Sequence, residues 1–242
     1  MQPKTEKPAG ILIKTTLADF PKTVACSFFL PGCNLRCPYC YNAELANGTI
    51  PKEAVSIEEL HRHLKKRKNV LEGIAISGGE ALLNPLLNEI ILYAKSLGYK
   101  IKLDTNGTLP EKLEKLIKNP LTKPDFIAMD IKTSPEKYKN LLAITGDKTD
   151  FPEKIINSIK LISEYNAGQR EFRTVLVPGL IEMNDIEKIA ELLPKDADWR
   201  LSNFLPENCL DSKYNNILPY TENKIEEFIK SAKKTVKGAK LR

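Results

Sequence analysis

Histidine is almost missing from this chain: two residues, His61 and His63, in 242. Acid–base chemistry built on imidazole has little material here. Long apolar runs are also lacking. The longest, Val24–Leu30, is interrupted by Ser27 and falls far short of the ~18–20 residues that span a bilayer. The first residues, Met1-Gln-Pro-Lys4, do not have the basic, apolar, small-residue order of a signal peptide. The expectation is a cytoplasmic protein with no membrane partner. Arginine is scarce, since 30 of the 37 basic residues are Lys. A nucleic-acid groove would interleave clustered Arg with aromatics, and no such patch is present, so no nucleic-acid partner is expected. The formal net charge of +6 is spread along the chain, and Lys65-Lys66-Arg67-Lys68 reads as a solvated helix face. Linkers rich in Pro, Gly or Ser, internal repeats and low-complexity tracts are absent. Hydrophobic residues at 42% and charged residues at 28% are ordinary globular values and exclude wholesale disorder.

What is present alternates. Strands are predicted at Thr23–Leu30, Gly73–Ser77, Tyr99–Asp104, Asp125–Ile131, Glu171–Val177 and Asp198–Leu205. Helices are predicted at Ser56–Lys68, Asn84–Leu97, Pro110–Lys118, Pro135–Leu142, Pro152–Asn166, Asp185–Leu193 and Glu222–Val236. Ser56 with Glu59 has the spacing of a capping box, and Gly98 stops the second helix. Repeated β–α units imply a parallel sheet with right-handed crossovers. Six units in this length suit an incomplete barrel. The reading is one domain, 1–242, with an N-terminal extension over 1–21, a core over 22–205, and an irregular connection and terminal helix over 206–242.

In such folds, sites form where strands end and βα-loops begin. Each strand end here carries polar or Gly-rich residues: Pro31-Gly-Cys-Asn-Leu-Arg-Cys-Pro-Tyr-Cys40, Ser77-Gly-Gly-Glu80, Asp104-Thr-Asn-Gly107, Asp130-Ile-Lys132, Arg173 with Val177-Pro-Gly179, and Asn203. There are five cysteines, an odd number in a chain with no export signal, which argues against a disulfide scaffold. Cys33, Cys37 and Cys40 put three thiols on one short loop, and soft thiolates select iron–sulfur clusters, zinc or copper(I). Zinc would need a fourth ligand, and His61 and His63 lie on a predicted helix well away in sequence. Cys37-Pro-Tyr-Cys40 alone is similar to a glutaredoxin dithiol, which leaves Cys33 unexplained. Three thiolates on a four-iron cluster would leave one iron open to a small molecule. Cys26 and Cys209 read as small buried hydrophobes.

Cys33-x3-Cys37-x2-Cys40 with an aromatic before the third Cys, followed by Ser77-Gly-Gly-Glu80, resembles the radical S-adenosylmethionine (SAM) superfamily. Pro31-Gly-Cys-Asn34, Cys-Pro-Tyr-Cys-Tyr-Asn42, Gly-Gly-Glu-Ala81, Leu-Asp-Thr-Asn-Gly107 and Met-Asp-Ile-Lys132 narrow the resemblance to glycyl-radical-enzyme activases, those of pyruvate formate-lyase and especially those of anaerobic ribonucleotide reductases. The resemblance implies an incomplete (β/α)6 TIM-like barrel of the radical SAM type. It implies a [4Fe–4S] cluster on Cys33, Cys37 and Cys40, and reductive cleavage of SAM to a 5′-deoxyadenosyl radical that removes a glycine hydrogen. It further implies a flavodoxin- or ferredoxin-type electron donor and a glycyl radical enzyme as protein substrate. SAM contacts are implied for Tyr39 beside the adenine, for Tyr41, for Gly78 and Gly79 at the methionyl end with Glu80 chiefly ordering that turn, for Asp130 and Lys132 at its amino and carboxylate groups, for Arg173 at the carboxylate or ribose, and for Asn203. Asp104 with Thr105, Met129 and Asp130 matches a monovalent-cation site. The alternative functions are a small-molecule enzyme of the superfamily, similar to 7-carboxy-7-deazaguanine synthase, or an activase of another glycyl radical enzyme.

Overall fold

The structure is a computed structural model that describes residues 7–141 and 150–242. The chain divides into two compact units. One comprises residues up to Asn34, Glu44–Asp104 and Lys115–Phe126; the other comprises Leu35–Ala43, Thr105–Glu114 and the chain from Ile127 onward.

The first unit is built from β1 (Pro8–Thr16), β2 (Ala25–Leu30), α1 (Ala43–Ala46), β3 (Val55–Ser56), α2 (Ile57–Arg67), β4 (Gly73–Gly78), α3 (Leu87–Ser96) and β5 (Lys100–Thr105). Its strands lie in the order β3-β1-β2-β4-β5. Pairing is antiparallel from β3 through β1 to β2 and parallel from β2 through β4 to β5. The parallel strands are covered on both faces and are correspondingly apolar: Cys26, Phe28, Leu30, Ile74 and Ile76 are fully buried. Ser56 Oγ accepts from Glu59 N and Glu59 Oε2 from Ser56 N, which closes the expected capping box of α2. Leu60 and Leu64 form the buried stripe of that helix. Gly98, at φ +88°, ends α3 in the left-handed conformation that favours glycine.

α4 (Pro110–Lys118) comes next in sequence. The second unit holds β6 (Phe126–Asp130), α5 (Phe151–Ser163), β7 (Arg170–Leu176), α6 (Met183–Leu192), β8 (Trp199–Asn203), α7 (Glu222–Lys233) and β9 (Lys240–Leu241). Its strands run β6-β7-β8-β9, all parallel. Trp199 is fully buried, and its indole N–H donates to Thr174 Oγ1 at 3.1 Å.

The six predicted strands are all present, with three more among the described residues. The expected N-terminal extension carries β1, which pairs with β2 from Ile11↔Phe29 to Thr16↔Ala25. Its residues alternate poorly between buried and exposed, so it gives little period-two signal. β3 and β9 are two residues each, too short to show any period. The predicted helix from Pro135 is a 3-10 helix, Pro135–Leu141, and its Leu142 end lies outside the described residues. Ser134 Oγ and Lys137 Nζ both bond Asp185, which ties this segment to the start of α6. Among the described residues no helix is long and apolar enough to cross a membrane.

Ser56→Ala removes the side-chain acceptor at the start of α2 and should cost about 1 kcal/mol of unfolding free energy. Chemical denaturation of the variant checks this, and Ser56→Asp should recover most of the loss.

Candidate functional site

In the first unit, β2 ends at Leu30 and the chain turns through Pro31 and Gly32 to Cys33. Gly32 N donates to Leu45 O at 2.7 Å and Cys33 N to Ala46 O at 3.1 Å, so α1 folds back and pins the start of the cysteine loop. β4 runs out beside it. Gly79 N donates to Leu30 O at 2.9 Å and Glu80 N to Gly32 O at 2.8 Å. Neither glycine has room for a side chain. Gly78 sits at φ +128°, and a Cβ there would lie 2.1 Å from Leu30 O; at Gly79 it would lie 2.1 Å from Gly32 O and 3.1 Å from Cys33 Cβ. The sequence reading gave this missing bulk to a ligand. Here the neighbouring backbone occupies it. Glu80 is fully buried and caps the 3-10 turn Ala81–Leu83, its Oε1 accepting from Leu82 N at 3.1 Å.

At the end of β5, Asp104 is ion-paired with Lys102. The two alternate with Leu103 and so share a face of the strand. Lys102 is almost wholly buried, its side chain 2% exposed. In register beside it stands Ala75, and beside Ala75 stands Ser27. These small side chains leave room for the lysine stem on that face. Sequence reasoning missed Lys102, although a Lys between Ile101 and Leu103 within an apolar strand was a visible signal.

In the second unit, Cys37 and Tyr39 are buried and Cys40 is half-buried. Cys40 N donates to Cys37 O at 3.0 Å, which closes the turn between them. Three sequence-distant backbone contacts hold that turn: Arg36 N to Leu141 O at 2.7 Å, Leu210 N to Cys40 O at 2.9 Å and Asp211 N to Pro38 O at 2.9 Å. Asp130 and Arg173 are register partners on β6 and β7, and Arg173 Nε meets Asp130 Oδ1 at 2.6 Å. Lys132 Nζ meets Asp130 Oδ2 at 3.0 Å, as expected of side chains two residues apart on one strand end. The Lys132 backbone is fixed as well, its N–H donating to the Tyr138 hydroxyl at 2.9 Å. Burial opposes the charge on Asp130, but Arg173 and Lys132 outweigh it and hold the carboxyl well below the usual carboxylate range. Burial likewise opposes the charge on Lys132, and Asp130, with Tyr39 and Cys37, holds its ammonium well above the ordinary value. Burial pushes the Tyr39 phenol up, with Cys37 adding to the shift.

Tyr41 is 69% exposed and Asn203 is exposed at the end of β8, so neither is drawn into these groups. Cys26 is fully buried on β2, where burial pushes its thiol up to about 12. Cys209 is also buried, and its thiol is raised by burial and by the neighbouring Cys40. His61 stacks on Tyr93 with ring centroids 3.7 Å apart, and His63 Nε2 donates to Lys14 O at 3.0 Å. Both histidines lie on α2, and among the described residues neither joins a group of three side chains able to hold a metal ion.

The residues fit the cofactors that the resemblance implies. None of the five cysteines is in a disulfide, and three thiols on eight consecutive residues suit iron. Among the described residues no three His, Cys, Asp or Glu side chains are already gathered to hold a metal ion. The Tyr39 hydroxyl is buried with no hydrogen-bond partner, in electrostatic reach of Lys132 and Asp130. A buried polar atom left in this state is costly and suits a bound polar molecule.

Gly79→Ala should destabilise the fold by about 1–3 kcal/mol through the clash with Gly32, while Gly168→Ala, which meets nothing within 4 Å, should not; denaturant unfolding separates them. Asp130→Asn leaves Lys132 and Arg173 facing each other without their anion. Because the folded carboxyl titrates below the unfolded value of about 3.9, its contribution is fully present above that value and is lost as pH falls below it. The stability gap between wild type and Asp130→Asn should therefore hold from about pH 7 to about pH 4 and narrow below. A gap that closes above about pH 4 contradicts the assignment.

Residues 27–193 match the model of the radical SAM superfamily. A Methanocaldococcus jannaschii protein named for glycyl-radical enzyme activation is 35% identical over 97% of this chain and 95% of its own length. The pyruvate formate-lyase-activating enzyme of Clostridium pasteurianum is 30% identical over 85% of each chain. The structure of Streptococcus suis SuiB bound to S-adenosylmethionine superposes on 87% of this chain with a TM-score of 0.59, at 18% identity, and this chain spans 47% of SuiB; the likeness shows a shared α/β fold of the radical SAM type. A dithiol oxidoreductase and a zinc scaffold both give way to these matches. The chain belongs to the radical SAM superfamily, in its glycyl-radical-enzyme activating branch, whose cofactors are a [4Fe–4S] cluster and S-adenosylmethionine.

Proposed function

We propose that this chain activates an anaerobic ribonucleotide reductase by removing a hydrogen atom from a glycine Cα of that protein. The observation that carries the reading is the Cys33–Cys40 loop, with three thiols outside any disulfide, whose lead-in through Leu30 and Gly32 lies backbone on backbone against Gly79 and Glu80. Bound there, a [4Fe–4S] cluster supplies the single electron that cleaves S-adenosylmethionine and generates the hydrogen-abstracting species.

The chain's own residues bind and orient. Cys33, Cys37 and Cys40 would hold the cluster, which would supply the one-electron chemistry to a bound S-adenosylmethionine. Lys132 has three ammonium donors, so it can keep its bond to Asp130 and offer another to a carboxylate, while Arg173 holds Asp130 in place. Asp130, anionic throughout the neutral range, can accept from an ammonium. Tyr39 lines the buried side of the loop and offers its unpartnered hydroxyl. Abstraction of a hydrogen atom needs no ionisable base, which suits a chain with two histidines. The choice of ribonucleotide reductase over pyruvate formate-lyase is supported by the motif set from Pro31 to Lys132. With five cysteines in all, the chain has no second Cys-rich region of the kind carried by activases with ferredoxin-like inserts. A flavodoxin- or ferredoxin-type protein in the cytoplasm would deliver the electron.

Cys37→Ala should abolish the cluster's iron, sulfide and visible charge-transfer absorbance, together with 5′-deoxyadenosine formation. Cys26→Ala and Cys209→Ala should keep all of them. With wild type, reductant and S-adenosylmethionine, an anaerobic ribonucleotide reductase encoded with this chain should develop the EPR doublet of a glycyl radical. Deoxyadenosine without that doublet, or a doublet on pyruvate formate-lyase instead, would overturn the proposed target.

A further inference from the structure

The monovalent-cation site expected at Asp104, Thr105, Met129 and Asp130 does not fit this structure. Each of the four is already engaged within its own unit. Asp104 is paired with Lys102. Thr105 Oγ1 accepts from Gly107 N at 3.2 Å. Met129 is fully buried and packs so closely on Gly107 that a Cβ there would lie 2.0 Å from its Cε. Asp130 is bridged by Lys132 and Arg173.

We propose that Lys102 is a resident cation for Asp104: its ammonium takes the place of a dissociable sodium or potassium ion, and this protein works without one. The inference goes beyond the activity proposed above and can fail independently of it. The reason is electrostatic. An ammonium in contact with a carboxylate neutralises it, and a second monovalent ion on that carboxylate would also face the ammonium at short range in surroundings that screen poorly. The lysine is held for this task. Its side chain is 2% exposed, it stands on the same strand face as Asp104, and the row Ser27, Ala75 and Lys102 across β2, β4 and β5 gives its stem space that larger neighbours would fill. A buried lysine is otherwise unfavourable, so a neighbouring anion is required, and Asp104 supplies it. Lys102 acts as a positioning residue: it fixes the charge and rotamer of Asp104 at the end of β5 without any exchange of ions with solvent.

The test compares the full chain in sodium, potassium, ammonium and choline chloride at one ionic strength. The thermal unfolding midpoint of wild type should be the same in the small cations as in choline, measured against the double variant Lys102→Met/Asp104→Leu, in which both charges are gone. Lys102→Met takes the ammonium away from beside Asp104, and its midpoint should rise by about 2–4 °C in a small-cation salt over choline. Cluster-loaded wild type should also bind S-adenosylmethionine with the same affinity in choline and potassium salts. A wild-type midpoint or affinity that depends on a small cation overturns the proposal, as does a Lys102→Met variant indifferent to them. The wild-type arm decides even where Lys102→Met fails to fold, and the unfolding arm needs no cluster, so a failed activase assignment leaves it readable.

Discussion

Contact between two stretches of main chain sets the first unit's strand ends. The turn after β4 rests on the segment after β2, with Gly79 N on Leu30 O and Glu80 N on Gly32 O. An approach this close is open only to glycine, and a methyl at either position 78 or 79 would drive into a carbonyl at 2.1 Å. The course of the cysteine loop depends on this contact. Cys33 leaves the sheet where the contact directs it, and α1 adds two more main-chain bonds to the same short stretch. A ligand located by backbone hydrogen bonds, which are short and directional, does not depend on the rotamers of its neighbours. Glu80 then turns the chain away, capping the next 3-10 turn instead of reaching into solvent.

Fixed charge is the second constraint. Asp104 has Lys102 on its own strand, and Asp130, the last residue of β6, has Lys132 two residues further on and Arg173 on β7. Charges removed from water persist only when paired, and around Asp130 the pairing pushes the titration of the carboxyl and of Lys132 outward. Asp130 goes down, Lys132 goes up, and burial carries Tyr39 up with it. None of the three shifts leads toward neutrality, where a proton-transferring group would be poised. A set of charges that stays constant across the physiological range is the electrostatics expected where the chemistry moves an electron and a hydrogen atom and the protein's part is to bind and orient.

The β–α alternation was legible in the sequence because strands buried on both faces read as short apolar runs and helices as capped amphipathic ones. Thr23–Leu30, Gly73–Ser77 and Ser56–Lys68 fall within two residues of the observed elements. The pairing of Asp130 with Lys132 followed from strand alternation alone. Partners that are distant in sequence were not legible. Nothing in Gly78-Gly79 says that its missing side chains make room for Leu30 and Gly32, and nothing local ties Asp130 to Arg173. Lys102 was overlooked because a single lysine in a strand reads as an exposed edge position, whereas the small Ala75 and Ser27 beside it become visible only with the register. β1 was hidden by its poor alternation and β3 and β9 by their length.

Distance in sequence also hides the role of the chain after β8. That stretch has no period and reads as an irregular connection, yet Leu210 and Asp211 donate to Cys40 and Pro38. Cys209, the residue before them, is buried, and its own N–H is held by Asn215 Oδ1 at 2.9 Å. A loop with Pro38 in its middle has one fewer backbone donor to bond with, and its carbonyls must find donors elsewhere if they are buried. The connection supplies two of them. Cys37 and Cys40 are thus positioned partly by residues far along the chain. Irregular backbone of this kind carries no signature of its own, because its conformation is set by the acceptors it serves.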